Sequence, residues 1–207
     1  MTTALFIVIG YICGSMPWGY WLVRAFKGVD IRTVGSGNIG GTNVWRLYGR
    51  RLGLPVILLD GVKGFVPAFV ATIVVGHGSG VLAGAAAMLG HYRPLFLRFR
   101  KGGKMVATAG GAFFGVAPVV GGLGAAVWLL VFLTLRYASV ASMVAAASLP
   151  LWAWLIGYPW PVIAFGVAAA AAVVALHRAN IRRLLMGEEN RFRLRRRPKL
   201  SSRSASP

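Results

Sequence analysis

The chain alternates long uncharged apolar runs with short blocks of cations, and this alternation predicts membrane helices first of all. Ala4 to Val23 is apolar and ends at Arg24 and Lys27. It lacks the basic leader of a signal peptide and is expected to be a retained first span. Cationic blocks stay on the cytoplasmic side, so the N-terminus is expected outside. Between Arg50-Arg51 and Arg93 the sequence is apolar and reverses at Gly76-His77-Gly78-Ser79-Gly80, which asks for two crossings. Met105 to Leu135 is uncharged, with Pro118 and Gly121-Gly122 in its middle, and is closed by Arg136. The same parity asks for two crossings in a run short for two. Short or tilted helices are therefore expected, with one interfacial helix as the alternative. Tyr137 to His177 repeats the pattern around Gly157-Tyr158-Pro159-Trp160-Pro161, whose aromatics suit an outer interface.

The expected fold is an all-α integral membrane protein of seven transmembrane helices, some short, with its N-terminus outside and its C-terminus cytoplasmic. Residues 1–190 form one membrane domain. Residues 191–207 are read as a basic, disordered tail near anionic headgroups. The Ala/Gly-rich runs Ala83 to Ala87 and Ala168 to Ala172 suit closely packed helix faces.

Composition sharpens this picture at one point. Among 207 residues, 23 are Lys or Arg and 4 are Asp or Glu, giving a formal charge of +19. Such a balance raises nucleic acid as a partner, but the cations fall in blocks between apolar runs, so no nucleic-acid partner is expected. With 13% charged and 57% hydrophobic residues, the chain does not read as a soluble domain. The single cysteine, Cys13, excludes an internal disulfide and a cysteine metal site, and no metal is expected.

Several polar groups do not belong in a purely structural bundle. The loop from Gly35 to Arg46 carries Ser36, Gly37, Asn38, Gly40, Gly41, Thr42 and Asn43, a run able to fold tightly and aim N–H groups at an anion, with Arg46 adding charge. It lacks the Lys-Ser/Thr ending of a nucleotide-binding loop. Asp60 and Lys63 lie one helical turn apart inside a span, where ionisable groups are costly and mark either a site or an ion pair. A second Gly/Lys element, Lys101-Gly102-Gly103-Lys104, follows His91; a helix starting there offers a second anion site. Ser139 and Ser142, and likewise His177 and Asn180, share a helix face at i, i+3. All of these map to cytoplasmic helix ends, which points to one polar chamber for an anionic, phosphorylated substrate.

Taken in order, the motifs Gly14-Ser15-Met16-Pro17-Trp18-Gly19-Tyr20, Gly35 to Arg46, Asp60-Gly61-Val62-Lys63-Gly64, Gly90-His91 through Thr108, Arg136-Tyr137-Ala138-Ser139-Val140-Ala141-Ser142 and His177-Arg178-Ala179-Asn180-Ile181-Arg182-Arg183 closely resemble the PlsY family of bacterial acyl-phosphate:glycerol-3-phosphate acyltransferases. The resemblance runs from Gly14 to about Arg191. It implies transfer of a fatty acyl group from acyl phosphate to the sn-1 hydroxyl of glycerol 3-phosphate, forming lysophosphatidic acid for phospholipid synthesis in the bacterial inner membrane. The active site is then expected to face the cytoplasm, with membrane lipid around it. No cofactor, metal or acyl-CoA is implied.

On that basis the loop residues Gly37, Asn38, Gly40, Gly41, Thr42 and Asn43 are expected to cradle the donor phosphate. Ser36, Arg46, Lys104, Ser142, His177 and Asn180 are the expected acceptor-binding and catalytic set, with Lys63, His91 and Ser139 as further polar site residues. The His and Asp pair of acyl-CoA-dependent acyltransferases is absent at its offset, where His77, His91 and His177 are followed by Leu82, Phe96 and Arg182. The chain departs from the family's pattern in having Met105 where the family usually has Gly, and the pair Arg100-Lys101 where it has one basic residue. The alternative function is a paralog of low activity that binds or regulates phospholipid precursors. A transporter of phosphorylated anions ranks lower, because the outer turns offer only His77, Ser79 and Tyr158.

Overall fold

The computed structural model describes residues 2–192, and all regular structure among them is helical. The order is α1 (Thr2–Gly14), α2 (Trp18–Lys27), α3 (Gly41–Tyr48), α4 (Arg50–Val74), α5 (His77–Tyr92), α6 (Val106–Val116), α7 (Pro118–Leu135), α8 (Ala138–Ile156), α9 (Trp160–Leu176) and α10 (Arg178–Leu185). Two short 3-10 turns, Ile31–Thr33 and Leu95–Leu97, lie in the connections. Four elements are long and apolar enough to cross a bilayer: α1 with α2, α4, α7 and α8. The pair α9 and α10, bent by 57°, makes a fifth. Their outward faces carry Leu58, Ile73, Leu130 and Trp154, each at least 65% exposed, as an apolar solvent allows.

Breaks occur where the sequence weakens the helical ladder. Pro17 cannot donate to the helix, so α1 ends at Gly14 and α2 restarts at Trp18. At this break the carbonyl of Met16 accepts from the Trp18 N–H at 3.1 Å and from Lys63 Nζ at 2.7 Å. Lys63 is held in turn by Asp60 Oδ1, also at 2.7 Å, so the α4 pair closes the gap in the first helix. The expected reversal at Gly76–Gly80 is narrower than anticipated. α5 begins at His77 and the turn is only Val75-Gly76, Gly76 having φ 118°. The uncharged run after Met105 divides into two helices at Ala117-Pro118, because Pro at the first helical position favours a start, and Gly121-Gly122 lie within α7.

Glycine lets the helices meet backbone to backbone. A methyl at Gly64 of α4 would sit on the Thr108 carbonyl of α6, and one at Gly111 of α6 on the Gly61 carbonyl of α4. Two apolar clusters result. One lies between α4, α5, α6, α8 and α9, centred on Phe113, whose ring stacks on Phe165 at 4.8 Å. The other gathers Val23, Ile31, Ile39, Val44 and Val56 beneath the Gly-rich loop, giving that loop a packed floor. The fold reaches Phe192, which is buried against Trp45 and Phe132. Beyond its first two residues, the expected 191–207 tail lies outside the described residues.

Candidate active site

One cavity of about 930 Å³ opens among α3, α4, α6, α7, α8 and the α9–α10 break. All six expected catalytic residues line it: Ser36, Arg46, Lys104, Ser142, His177 and Asn180. Asn38, Gly40, Gly41, Thr42, Asn43, His91 and Ser139 line it too. Two expectations are not met. Gly37 lies off the wall, and its φ of 66° makes it a turn residue. Lys63 faces away, spent on Asp60 and Met16 as described. Asp60 does reach the cavity, with His91 Nδ1 3.6 Å from its Oδ1.

The Gly-rich loop is folded by its own amides. Asn43 Nδ2 donates to the carbonyls of Asn38 at 2.9 Å and Val34 at 3.3 Å, while its Oδ1 accepts from the Ser36 N–H at 3.1 Å. Asn43 is thus a staple of the loop rather than a free ligand group. Asn38 Oδ1 accepts from the Gly40 N–H at 2.7 Å, which leaves Asn38 Nδ2 as a buried donor without an acceptor. Arg46 Nη2 donates to the carbonyl of Asn190 at 3.1 Å, and its Nε likewise has none. Both residues line the cavity, so an amide and a guanidinium stand at its polar end.

Lys104 stands at the end of a loop pinned to α5: the N–H groups of Gly102 and Gly103 donate to Tyr92 O and His91 O at 2.9 and 3.0 Å. Those two N–H groups are therefore not free for an anion, contrary to expectation, and α6 starts only at Val106. A methyl at Gly103 would enter the His91 ring, so close approach requires glycine there. Met105 takes a left-handed conformation at φ 67°, which costs a non-glycine residue about 1–2 kcal/mol. Its side chain, 4% exposed in the larger apolar cluster, recovers an amount of that order, so the loop geometry that glycine favours is kept.

Lys104 Nζ donates to Asn180 Oδ1. Burial, the nearby Arg183, and then Lys101 and Arg46 depress the Lys104 ammonium to about 8, against the opposing pull of Glu189. Burial also lowers Arg46, with Glu189 opposing and Arg183 reinforcing. His177 ends α9, and its Nδ1 lies 2.8 Å from the Val173 carbonyl. A carbonyl only accepts, so Nδ1 carries the proton and Nε2 is left for the cavity. Ser142 Oγ donates to Ala138 O at 2.6 Å and accepts from Trp128 Nε1 at 3.1 Å, so its proton is engaged within the helix.

Sequence reasoning missed Glu189, Phe192 and Trp128. Glu189 Oε1 accepts from Asn180 Nδ2 at 2.7 Å and Ser139 Oγ at 2.8 Å, and Oε2 from Arg183 Nε at 2.8 Å. Burial raises its carboxyl, but these hydrogen bonds outweigh burial and hold it below the usual range. Phe192 lies under the Arg46 guanidinium, 5.9 Å from ring centre to Cζ. Among the described residues no three His, Cys, Asp or Glu side chains gather as a metal site.

A family model described as Glycerol-3-phosphate acyltransferase matches residues 4–187. The glycerol-3-phosphate acyltransferase of Desulforudis audaxviator is 46% identical over 195 residues, covering 93% of this chain and 98% of that one. The enzyme of that name from Aquifex aeolicus is 46% identical over 192 residues, covering 91% and 99%. Among solved structures, PlsY (YgiH), an integral membrane glycerol 3-phosphate acyltransferase, superposes in its glycerol 3-phosphate form with a TM-score of 0.89 at 42% identity, covering 93% of this chain and 96% of that one. Its lysophosphatidic acid form gives 0.87 at 40% identity over the same shares. The chain therefore belongs to the glycerol-3-phosphate acyltransferase family, as an all-helical integral membrane protein of the PlsY type.

Proposed function

We propose that the protein transfers a fatty acyl group from acyl phosphate to the sn-1 hydroxyl of glycerol 3-phosphate, releasing lysophosphatidic acid and inorganic phosphate. The observation that carries this reading is the shape and chemistry of the cavity described above. One end presents Asn38, Arg46, Lys104, His177 and Asn180 to anions, and the same space continues along Leu58, Val62, Phe65, Phe114 and Leu129. Leu58 and Val62 are 66% and 50% exposed on the lipid-facing side, so an acyl chain can enter from the bilayer while its phosphate stays among the donors. The relatives named above carry glycerol-3-phosphate acyltransferase in their names, and the PlsY forms carry acceptor and product in theirs.

The chemistry asks for positioning more than for strong bases. Acyl phosphate is an activated mixed anhydride. The acceptor oxygen attacks the acyl carbon and forms the ester, the carbon–oxygen bond to phosphate breaks, and phosphate leaves with the electron pair. The hydroxyl proton goes to that phosphate. Arg46 and Lys104, with the Asn38 amide beside them on the cavity wall, stabilise the charge it gains. His177 then orients the acceptor rather than removing its proton. Accordingly, His177→Gln is expected to lower kcat by less than about 10²-fold, below the 10²–10⁴ of a lost general base. A loss of 10³-fold or more leaves the role of base open to His177.

The topology that fits is seven crossings: α1 with α2, α4, α5, α6, α7, α8, and α9 with α10. The polar end of the cavity then lies on the cytoplasmic side of the inner membrane, where the cationic blocks belong. Purified protein in detergent or lipid, given glycerol 3-phosphate with either acyl phosphate or acyl-CoA, should release lysophosphatidic acid with the first alone. Turnover with acyl-CoA refutes the donor assignment, and none with either favours the low-activity paralog.

A further inference from the structure

We infer that Glu189 is a positioning residue of this site: its carboxylate fixes the Asn180 amide so that Oδ1 faces Lys104, and thereby holds the Lys104 ammonium at the polar end of the cavity. The inference rests on reading the cavity as the site of acyl transfer. An asparagine amide has an oxygen and a nitrogen of nearly equal size, and only its partners decide which way it points. Asn180 lies between an ammonium, which only donates, and a carboxylate, which only accepts. One orientation satisfies both: Nδ2 toward Glu189 and Oδ1 toward Lys104. The carboxylate holds the amide in that orientation from the side opposite the ammonium.

The carboxylate is itself held from several sides. Its side chain is 1% exposed, and it takes Ser139 on the same oxygen and Arg183 on the other. The turn after α10 delivers it, with Gly187 at φ 70° and the Glu188 N–H on Arg183 O. Beyond it, the Phe192 N–H donates to Arg136 O at 2.7 Å, and Asn190 O receives Arg46. Of the chain's four acids, Asp30 pairs with Arg32 and Asp60 with Lys63, while Glu189 reaches a residue of the cavity's cationic end.

A carboxylate that only anchored the C-terminal segment would act through stability alone. A positioning carboxylate also acts on the ammonium that it steadies. The groups bearing on Lys104 are Arg183 from α10, Arg46 from α3, Lys101 from its own loop, His177 and Glu189, and among them Glu189 favours the charged form. The test uses the full chain in detergent or lipid, comparing wild type, Glu189→Gln and Glu189→Asp by kcat, KM for glycerol 3-phosphate, pH profile and thermal unfolding. Glu189→Gln, which can satisfy Asn180 in either orientation, should cut kcat/KM for glycerol 3-phosphate by about 10- to 100-fold and move the alkaline limb to lower pH. Unchanged kinetics overturn the inference, as does a loss that follows the fall in Tm while the limb stays in place. Should Glu189→Gln not fold, Glu189→Asp carries the test: a tenfold fall at unchanged Tm supports the inference, and wild-type kinetics refute it. No wild-type turnover with either donor overturns the acyl-transfer reading and this inference together, whereas an active wild type leaves the variants to judge Glu189 alone.

Discussion

Lys104→Met is expected to lower kcat/KM for glycerol 3-phosphate by about 10²–10³-fold, the usual cost of losing one preorganised donor at a site of developing charge. Methionine preserves the length and burial of the side chain but removes the cation, and it leaves Asn180 Oδ1 without its donor. Lys104 carries its charge below about 8, because burial and neighbouring cations depress it. In the wild type, kcat/KM should therefore hold up to about pH 8 and fall above it as the ammonium deprotonates. A bound anion favours the ammonium, so the limb in kcat lies at higher pH than the limb in kcat/KM. Lys104→Met should abolish that limb. Near-wild-type turnover in this variant, or an alkaline limb that survives it, removes Lys104 from the machinery.

Gly64→Val should produce the largest loss of stability. The added carbon would overlap the Thr108 carbonyl, which belongs to the α6 backbone and cannot rotate aside, so α4 and α6 must part. Overpacking of this kind costs up to about 3 kcal/mol, and the displaced helix carries the Lys104 loop at its start. Reduced Tm and folded yield in detergent should accompany reduced activity. Gly122→Ala is the control: its methyl meets nothing within 4 Å, and alanine is the better helix former. Equal Tm values for the two variants refute the close-packed seam.

Much of the arrangement was legible because ionisable and amide groups stand out in an apolar chain. The Ser36 to Arg46 stretch, which the structure divides into a loop and the first turns of α3, Lys104, His177 and Asn180 could be singled out one by one, and all but Gly37, Ile39 and Val44 line one cavity. The reading failed where two chemistries look alike in one dimension. Lys63 at i+3 from Asp60 could equally be a ligand or a pair, and only the gap at Met16 shows why it turns away. Asn43 reads as a phosphate donor until its amide is found spent on Val34, Ser36 and Asn38. Glu189 gave no signal at all. Two adjacent acids, Glu188 and Glu189, ahead of a run of arginines look like a solvated tail, and the partners of Glu189, Ser139 and Asn180, lie 50 and 9 residues away. Met105 shows the converse, since it takes the left-handed conformation that glycine favours although its side chain does not.

The anchoring of Phe192 on Arg136 and Trp45 sets an order of events during biogenesis. Translation runs from the N-terminus, so every membrane helix has been synthesised before Glu189 and Phe192 leave the ribosome. A nascent chain halted at Leu185 holds all of its hydrophobic segments yet lacks the carboxylate and the ring that finish the pocket. Insertion of the helices can thus precede completion of the pocket, which waits for the segment that follows α10.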